Sequence, residues 1–406
     1  MPVSQASSPA APTLPPKPRV PLVPVLSGAS FCAGRVRAQA LPSVLDTAHV
    51  KLVTSGRIAL GLALRETGVG EGDGVLLPAY HSLSMVPPVL WLKAMPRFYR
   101  VDAGARANLD DIAALCDGSV KALVATHYFG FPQNLAALRA LCDARGIALI
   151  EDCAHAFFGE YDGKPLGSHG DYAIASSMKF FPMYEGGALV SARHPLDRVA
   201  LHSAGKGFEA KVVLATLEHS FSYGRLPVVK ALLALPMRAK DLLWRRIKAR
   251  RPAVATAALA PASSDSEFGF DPRWLDKRSS LFSRLLLARV SSSRIVALRR
   301  HNYARLQQAL AGLPNCRPLY AALPDGVCPW LFPLLVDDAD AAFERIRQAG
   351  VPVVRFAETL WPGVDASRCL DSVHLSRHVL AFPCHQELDE HEFDWLHTQL
   401  VKALAS

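Results

Sequence analysis

Between about residues 47 and 192, short and almost wholly apolar runs alternate with amphipathic stretches that stop at glycine. "IALGLALRETG", "PVLWLKAM" and "NLAALRALCDARG" carry apolar residues at helical spacing, and the first and last end in the residue that best leaves a helix. "GVLLPAY", "PRFYRVD", "KALVATHYFG", "IALIEDCAHA", "YAIASS" and "GALVSA" are too short and too continuously apolar for surface helices. They read as strands buried on both faces, the pattern of a mostly parallel sheet covered by helices on each side. Beyond residue 270 a long helix pattern, "RIVALRRHNYARLQQALAGL", precedes "WLFPLLVDD", "DAAFERIRQAG" and "EFDWLHTQLVKALA". That alternation predicts a smaller C-terminal α/β domain. The expected organisation is a Pro-rich disordered arm over 1–24, a large domain over 25–205, a basic insertion or linker over 206–270, and the small domain over 271–406.

Composition narrows the class. The chain has 406 residues, half of them hydrophobic and a fifth charged, as in a soluble globular protein large enough to enclose a water-poor site. No apolar run reaches the roughly 18 residues of a membrane-spanning helix. The opening "MPVSQASSPAAPTLPPKPRVPLVP" lacks the apolar block of a secretory signal. Eight cysteines without a C-x-x-C pair fit a reducing cytoplasm better than a disulfide or zinc scaffold. The "HEFDWLH" stretch has its histidines six apart, whereas a metalloprotease helix needs four. No metal site is therefore expected.

The net charge of +9 is local. From Arg225 to Arg251 nine basic residues face one acid, a net +8, and the rest of the chain is close to neutral. General affinity for nucleic acid is therefore not expected. Two readings of this basic, leucine-containing segment stay open: a solvated face of an insertion, or a peripheral contact with the inner face of an anionic membrane.

In open parallel sheets, ligands gather beyond the carboxyl ends of the strands, and four such ends carry polar residues. Thr54, Ser55, Gly56 and Arg57 open a helix after "VKLV", where free N–H groups and a guanidinium can hold a phosphate. Tyr80 and His81 follow "LLPA", and either ring is a candidate platform. Asp152 and His155 end "IALIE", where a carboxylate in apolar surroundings calls for a positive partner. Lys179 follows "YAIASSM", an amine at the end of a core-like strand, and a Gly186–Gly187 pair comes after it. A direct Asp152–Lys179 ion pair would account for two of these ends. Pyridoxal 5'-phosphate accounts for all four, because it needs a lysine amine for a Schiff base, a carboxylate for its ring nitrogen, a ring against its face and a phosphate cup.

The order "TSGRIAL", "PAYHS", "EDCAHA", "GSHGDYAIASSMKFFPMYEGGALV", "RRHNYARL" and "LAFPCHQEL" resembles the DegT/StrS sugar aminotransferases. It does so from about residue 47 to the C-terminus, apart from roughly 205–270. The resemblance implies the fold type I, aspartate-aminotransferase-like architecture and a homodimer. It also implies that Lys179 carries the cofactor, Asp152 pairs with the ring nitrogen, His155 lies near the ring hydroxyl, and Gly56, Arg57 and Ser176 or Ser177 hold the phosphate. The implied activity is transfer of an amino group from an amino acid, plausibly glutamate, to a keto substrate, a nucleotide-linked keto sugar in polysaccharide or glycan biosynthesis being one. Departures are local: Arg57 stands where the family has threonine, Ile174 where it has serine, Ser82 where an aromatic residue stacks, and Tyr184 where a glycine is usual. The family's Asn-Tyr-Arg segment is missing. A dehydratase or other pyridoxal phosphate enzyme, and a membrane-surface partner in glycan assembly, are the alternatives.

Overall fold

The structure is a computed structural model and describes residues 16–32, 40–234 and 269–405. Its large domain is built on strands β1 (His49–Val53), β2 (Gly74–Pro78), β3 (Met95–Tyr99), β4 (Val120–Thr126), β5 (Ala148–Cys153), the hairpin β6 (Glu160–Tyr161) and β7 (Lys164–Pro165), β8 (Tyr172–Ala175) and β9 (Gly187–Ser191). Helices α1 (Gly56–Glu66), α2 (Val86–Trp91), α3 (Leu109–Leu115) and α4 (Leu135–Arg145) alternate with them, followed by α5 (Lys206–Phe221) and α6 (Pro227–Leu232). The seven-stranded sheet has the order β1-β9-β8-β5-β4-β2-β3. Within it β9 runs against its neighbours β1 and β8, while β8, β5, β4, β2 and β3 pair in parallel. Both faces are covered. Alternate residues of one strand, such as Val75 and Leu76 or Val124 and Ala125, pass into separate hydrophobic clusters on opposite sides.

The C-terminal part contains α7 (Leu281–Arg289), the long α8 (Ser292–Leu310), β10 (Cys316–Pro318), β11 (Leu331–Val336), α9 (Ala339–Gln348), α10 (Ala366–His378), β12 (Val379–Pro383) and α11 (Glu390–Ala405). Its three strands form an antiparallel sheet, β10-β11-β12. One continuous apolar cluster joins this layer to the large sheet: Tyr128, Phe129 and Phe180 share it with Trp330, Phe332 and Phe382.

Two expected boundaries move. Within the arm Val20–Pro24 are buried or half-buried while Pro16, Lys17 and Arg19 are exposed, and 1–15 lie outside the described residues. Val20 is fully buried, the Arg19 N–H donates to Gly350 O and the Pro21 carbonyl contacts His385 Nε2 at 2.9 Å. The polar, Ala/Pro-rich composition ends before "RVPLVPVL", which has enough apolar surface to repay ordering. The interval 206–270 begins as α5, which buries Phe208, Val212 and Phe221 and packs on α7, so it is not a linker there. Most of the basic segment, 235–251, lies outside the described residues. Its first cation, Arg225, turns inward to the Glu392 carboxylate and the Glu387 carbonyl.

Candidate active site

Four chain segments meet at the carboxyl ends of β4, β5 and β8. After β1 the chain passes Thr54 and enters α1, whose first turn is capped by Ser55 Oγ accepting from Ile58 N at 3.3 Å. The amino end of an eleven-residue helix thus opens here, with N–H groups that have no intrahelical acceptor. Gly186 and Gly187 thread beside it. Gly186 N donates to Thr54 O at 3.0 Å and Gly186 O accepts from Ser177 N at 3.0 Å. A Cβ on Gly187 would lie 2.3 Å from the Ser55 carbonyl carbon, so this approach of β9 to α1 admits only glycine.

A single 3-10 turn, Ser177–Lys179, follows β8 and delivers Lys179. The side chain is half-buried and its amine lies deep in the cavity; burial lowers its pKa to about 8, with Asp152 pulling the other way. Asp152 is buried at the end of β5. Its Oδ1 accepts from Ala154 N at 2.9 Å and its Oδ2 from Thr126 Oγ1 at 3.3 Å. Burial nevertheless holds its carboxyl above the usual range. Among the described residues no ion pair within 4.0 Å joins Asp152 to Lys179, which removes the direct-pair reading. His155 is buried, and burial together with the Lys179 charge keeps it neutral.

Gly56, Arg57, Asp152, His155, Ser176 and Lys179 line one cavity of about 280 Å³. Three buried polar atoms on these segments find no protein partner: Nδ1 of His155, which lines the cavity, and Thr54 Oγ1 and Ser177 Oγ, each one residue from a lining residue. Such groups cost free energy unless a ligand meets them. Arg57 reaches across to the Gly269 carbonyl, and burial lowers its pKa.

His81 is the expected site residue that the structure places elsewhere. Its ring is fully buried and stacked on Phe98 at 4.6 Å, with Nδ1 3.0 Å from Ala79 O and Nε2 accepting from Trp361 N at 3.2 Å. Burial lowers its pKa to about 4. Tyr80 is also buried, between Tyr128 and Phe356. Neither ring lines the cavity. A short 3-10 turn, Leu83–Met85, capped by Ser82 Oγ, instead turns Ser82, Ser84 and Met85 toward it. The platform expectation is corrected accordingly.

Residues that the sequence reading left out complete the surroundings. Thr126 and Phe356 line the cavity. Trp330, at the start of β11, stacks on His155 at 3.8 Å and has the Lys179 amine over its ring at 4.4 Å. They sit 26 residues before Asp152 or more than 150 beyond Lys179, so no local motif ties them to either.

A seven-stranded, mostly parallel sheet with a lysine after β8 and an acid after β5 is the architecture of fold type I, aspartate-aminotransferase-like transferases. A sugar aminotransferase from Micromonospora echinospora has this fold: the comparison covers 94% of this chain and 99% of that one, with a TM-score of 0.60 and 21% identity. Residues 38–231, just under half of the chain, match the model of the DegT/DnrJ/EryC1/StrS aminotransferase family. It is 32% identical over 150 residues to GDP-perosamine synthase of Vibrio cholerae, covering 36% of this chain and 41% of that protein. It is 33% identical over 184 residues to a UDP-N-acetyl-3-dehydro-alpha-D-glucosamine 3-aminotransferase of Acidithiobacillus ferrooxidans, covering 43% and 49%. The chain spans less than half the length of these relatives.

Proposed function

We propose that the protein is a pyridoxal 5'-phosphate-dependent aminotransferase that moves an amino group from an amino acid donor to a keto acceptor. One observation carries this reading. A buried amine on a half-buried lysine and a buried carboxyl share a cavity without pairing, next to a helix amino end and unpartnered hydroxyls. The donor set fits the cofactor's demands. Asp152 lacks a cation and a protonated ring nitrogen supplies one. Ser177, Thr54 and the first turn of α1 offer donors to a phosphate, and Arg57 and Ser176 stand at the same rim. His155, held neutral, can meet the ring hydroxyl through Nδ1.

When bound, the cofactor supplies an electron sink for charge that develops at the substrate carbon. Lys179 does the proton work. With a pKa near 8, its amine is partly neutral at physiological pH, so it would be able to attach the cofactor, to act as base at the donor's amine-bearing carbon and to act as acid at the acceptor's former carbonyl carbon. Asp152 holds the opposing charge that keeps the sink effective.

The relatives named above support a nucleotide-linked keto sugar as acceptor, in polysaccharide or glycan assembly, and the family resemblance supports glutamate as donor. It also supports a homodimer in the cytoplasm. No described helix is long and apolar enough to cross a membrane.

The test begins with an absorbance titration of the purified chain with pyridoxal 5'-phosphate. Borohydride reduction and peptide mass spectrometry should then place the adduct on Lys179, and amino acids should be screened for release of their 2-keto acids. Absence of binding, or an adduct elsewhere, would overturn the proposal.

A further inference from the structure

Arg299, on α8, is fully buried and has no carboxylate against its guanidinium among the described residues. Its donors go to an amide and to carbonyls. Nε donates to Gln386 Oε1 at 2.9 Å, one terminal nitrogen to the Pro329 and Trp330 carbonyls at 3.2 and 2.8 Å, and the other to the Lys179 carbonyl at 2.8 Å. The same group lies over the Phe180 ring at 4.5 Å. Gln386 closes the circuit by donating to Phe180 O at 2.8 Å. One cation therefore ties the lysine-bearing turn of the large domain to the first residue before β11 in the small one. Burying a charge this way costs several kcal/mol unless every N–H is met, and here it is spent on backbone position.

The Trp330 backbone is fixed twice, because its N–H also donates to Phe129 O at 2.9 Å. Its indole is consequently held with His155 stacked at 3.8 Å, Phe129 parallel at 6.1 Å, and the Lys179 amine 4.4 Å from its centroid. An ammonium over an indole face is attracted by the ring quadrupole, most strongly where water is scarce.

We propose that Trp330, seated by Arg299, is a positioning residue for the Lys179 amine: its indole face confines Nζ in the cavity and favours the protonated form until the cofactor is attached. This rests on Lys179 being the residue that takes the cofactor. The other groups acting on the amine are Asp152, which attracts it, and His155, which is neutral; Arg299 meets the same residue through its carbonyl, and Arg57 lines the same cavity. Burial lowers the pKa of the amine and Asp152 opposes it; the indole face would add to that opposition where an apolar wall would not.

The experiment uses the full chain freed of cofactor. The pH dependence of Lys179 acetylation is read by peptide mass spectrometry against exposed Lys93, and the rate of borohydride-trapped adduct formation with pyridoxal 5'-phosphate is followed in parallel. Trp330→Leu should lower the Lys179 labelling midpoint by about one pH unit and, at a pH above both midpoints where the amine is neutral in either form, slow trapping about tenfold through lost confinement of Nζ. Trp330→Phe should restore most of both. Unchanged midpoint and trapping rate in folded Trp330→Leu would overturn the proposal, and Trp330→Met, longer and also ringless, takes its place if the leucine variant does not fold. If the wild-type chain traps no adduct at Lys179, the enzymatic reading fails, while the labelling midpoint still decides whether Trp330 acts on the amine.

Discussion

Glu151 and Asp152 are consecutive on β5 and both buried, yet they face opposite sides of the sheet and meet opposite treatment. On one side Glu151 accepts from His169 N and Gly170 N at 2.7 Å and from Gly167 N at 2.9 Å, with His127 Nε2 at 3.2 Å. Burial would raise its pKa, but His127 and the backbone donors outweigh it and hold the carboxyl below the usual range. On the other side Asp152 has one backbone donor and one long hydroxyl contact, and burial wins. The Glu151 side also gathers His127 and Cys153, whose ligand-type atoms lie within 4.8 Å of the carboxylate, but the donors already present saturate it. A buried charge that the protein satisfies completely is part of the scaffold. One left short of donors, beside an unpaired amine, is a place for a ligand.

The sharpest way to break this contrast is to remove the amine. Lys179→Ala should lose the reducible adduct and lower amino transfer by about 10²–10⁴-fold or more, read as keto acid released per enzyme; retained turnover would move the chemistry elsewhere. Next in size is Glu151→Gln, which leaves backbone N–H groups facing an amide and should cost about 3 kcal/mol in urea unfolding at pH 7. Because the folded pKa of Glu151 is depressed, its contribution is present above its unfolded pKa and disappears as pH falls through the folded one. The difference between variant and wild type should therefore shrink in acid.

Asp152→Asn should behave with the opposite sign. The folded pKa of Asp152 is raised, so its favourable term is complete below the unfolded pKa and lost as pH rises through the folded value. Above that value the cofactor-free asparagine variant should be as stable as wild type or about 1 kcal/mol more so, while its affinity for pyridoxal 5'-phosphate falls. Thermal unfolding from pH 5 to 8 with and without cofactor reads both. A destabilised cofactor-free variant would show that Asp152 belongs to the scaffold after all.

The contrast also explains what could be read along the chain. Asp152 and Lys179 were legible because each interrupts an apolar run at a strand end, where a polar group has a burial cost to explain. Gly187 was legible for a similar reason: the glycine pair marks a place where backbone approaches backbone, and Ser55 is what it approaches. The direction of the His81 ring was not, since it depends on a three-residue 3-10 turn and on Trp361, 280 residues away. Trp330 and Arg299 were hidden for want of any local signal, their partners being reached only through the joined core of the two domains. The packed part of the arm was missed because composition was averaged over a boundary between polar and apolar halves.

The smallest effect tests a hydroxyl next to the cavity lining. Ser177 Oγ is buried without a partner, so Ser177→Ala removes a hydroxyl that contributes no hydrogen bond to the cofactor-free fold. Its unfolding midpoint without cofactor should be unchanged or slightly raised, since an unsatisfied polar group is gone. If the hydroxyl donates to the phosphate, the Kd for pyridoxal 5'-phosphate should rise about tenfold, the size of one hydrogen bond to a charged group. Ser176→Ala, one residue earlier and in the cavity lining, separates the two serines: the larger loss of affinity identifies the phosphate donor. Lost stability without lost affinity would return Ser177 to the side of the comparison on which Glu151 stands, as a group whose partner is the protein itself.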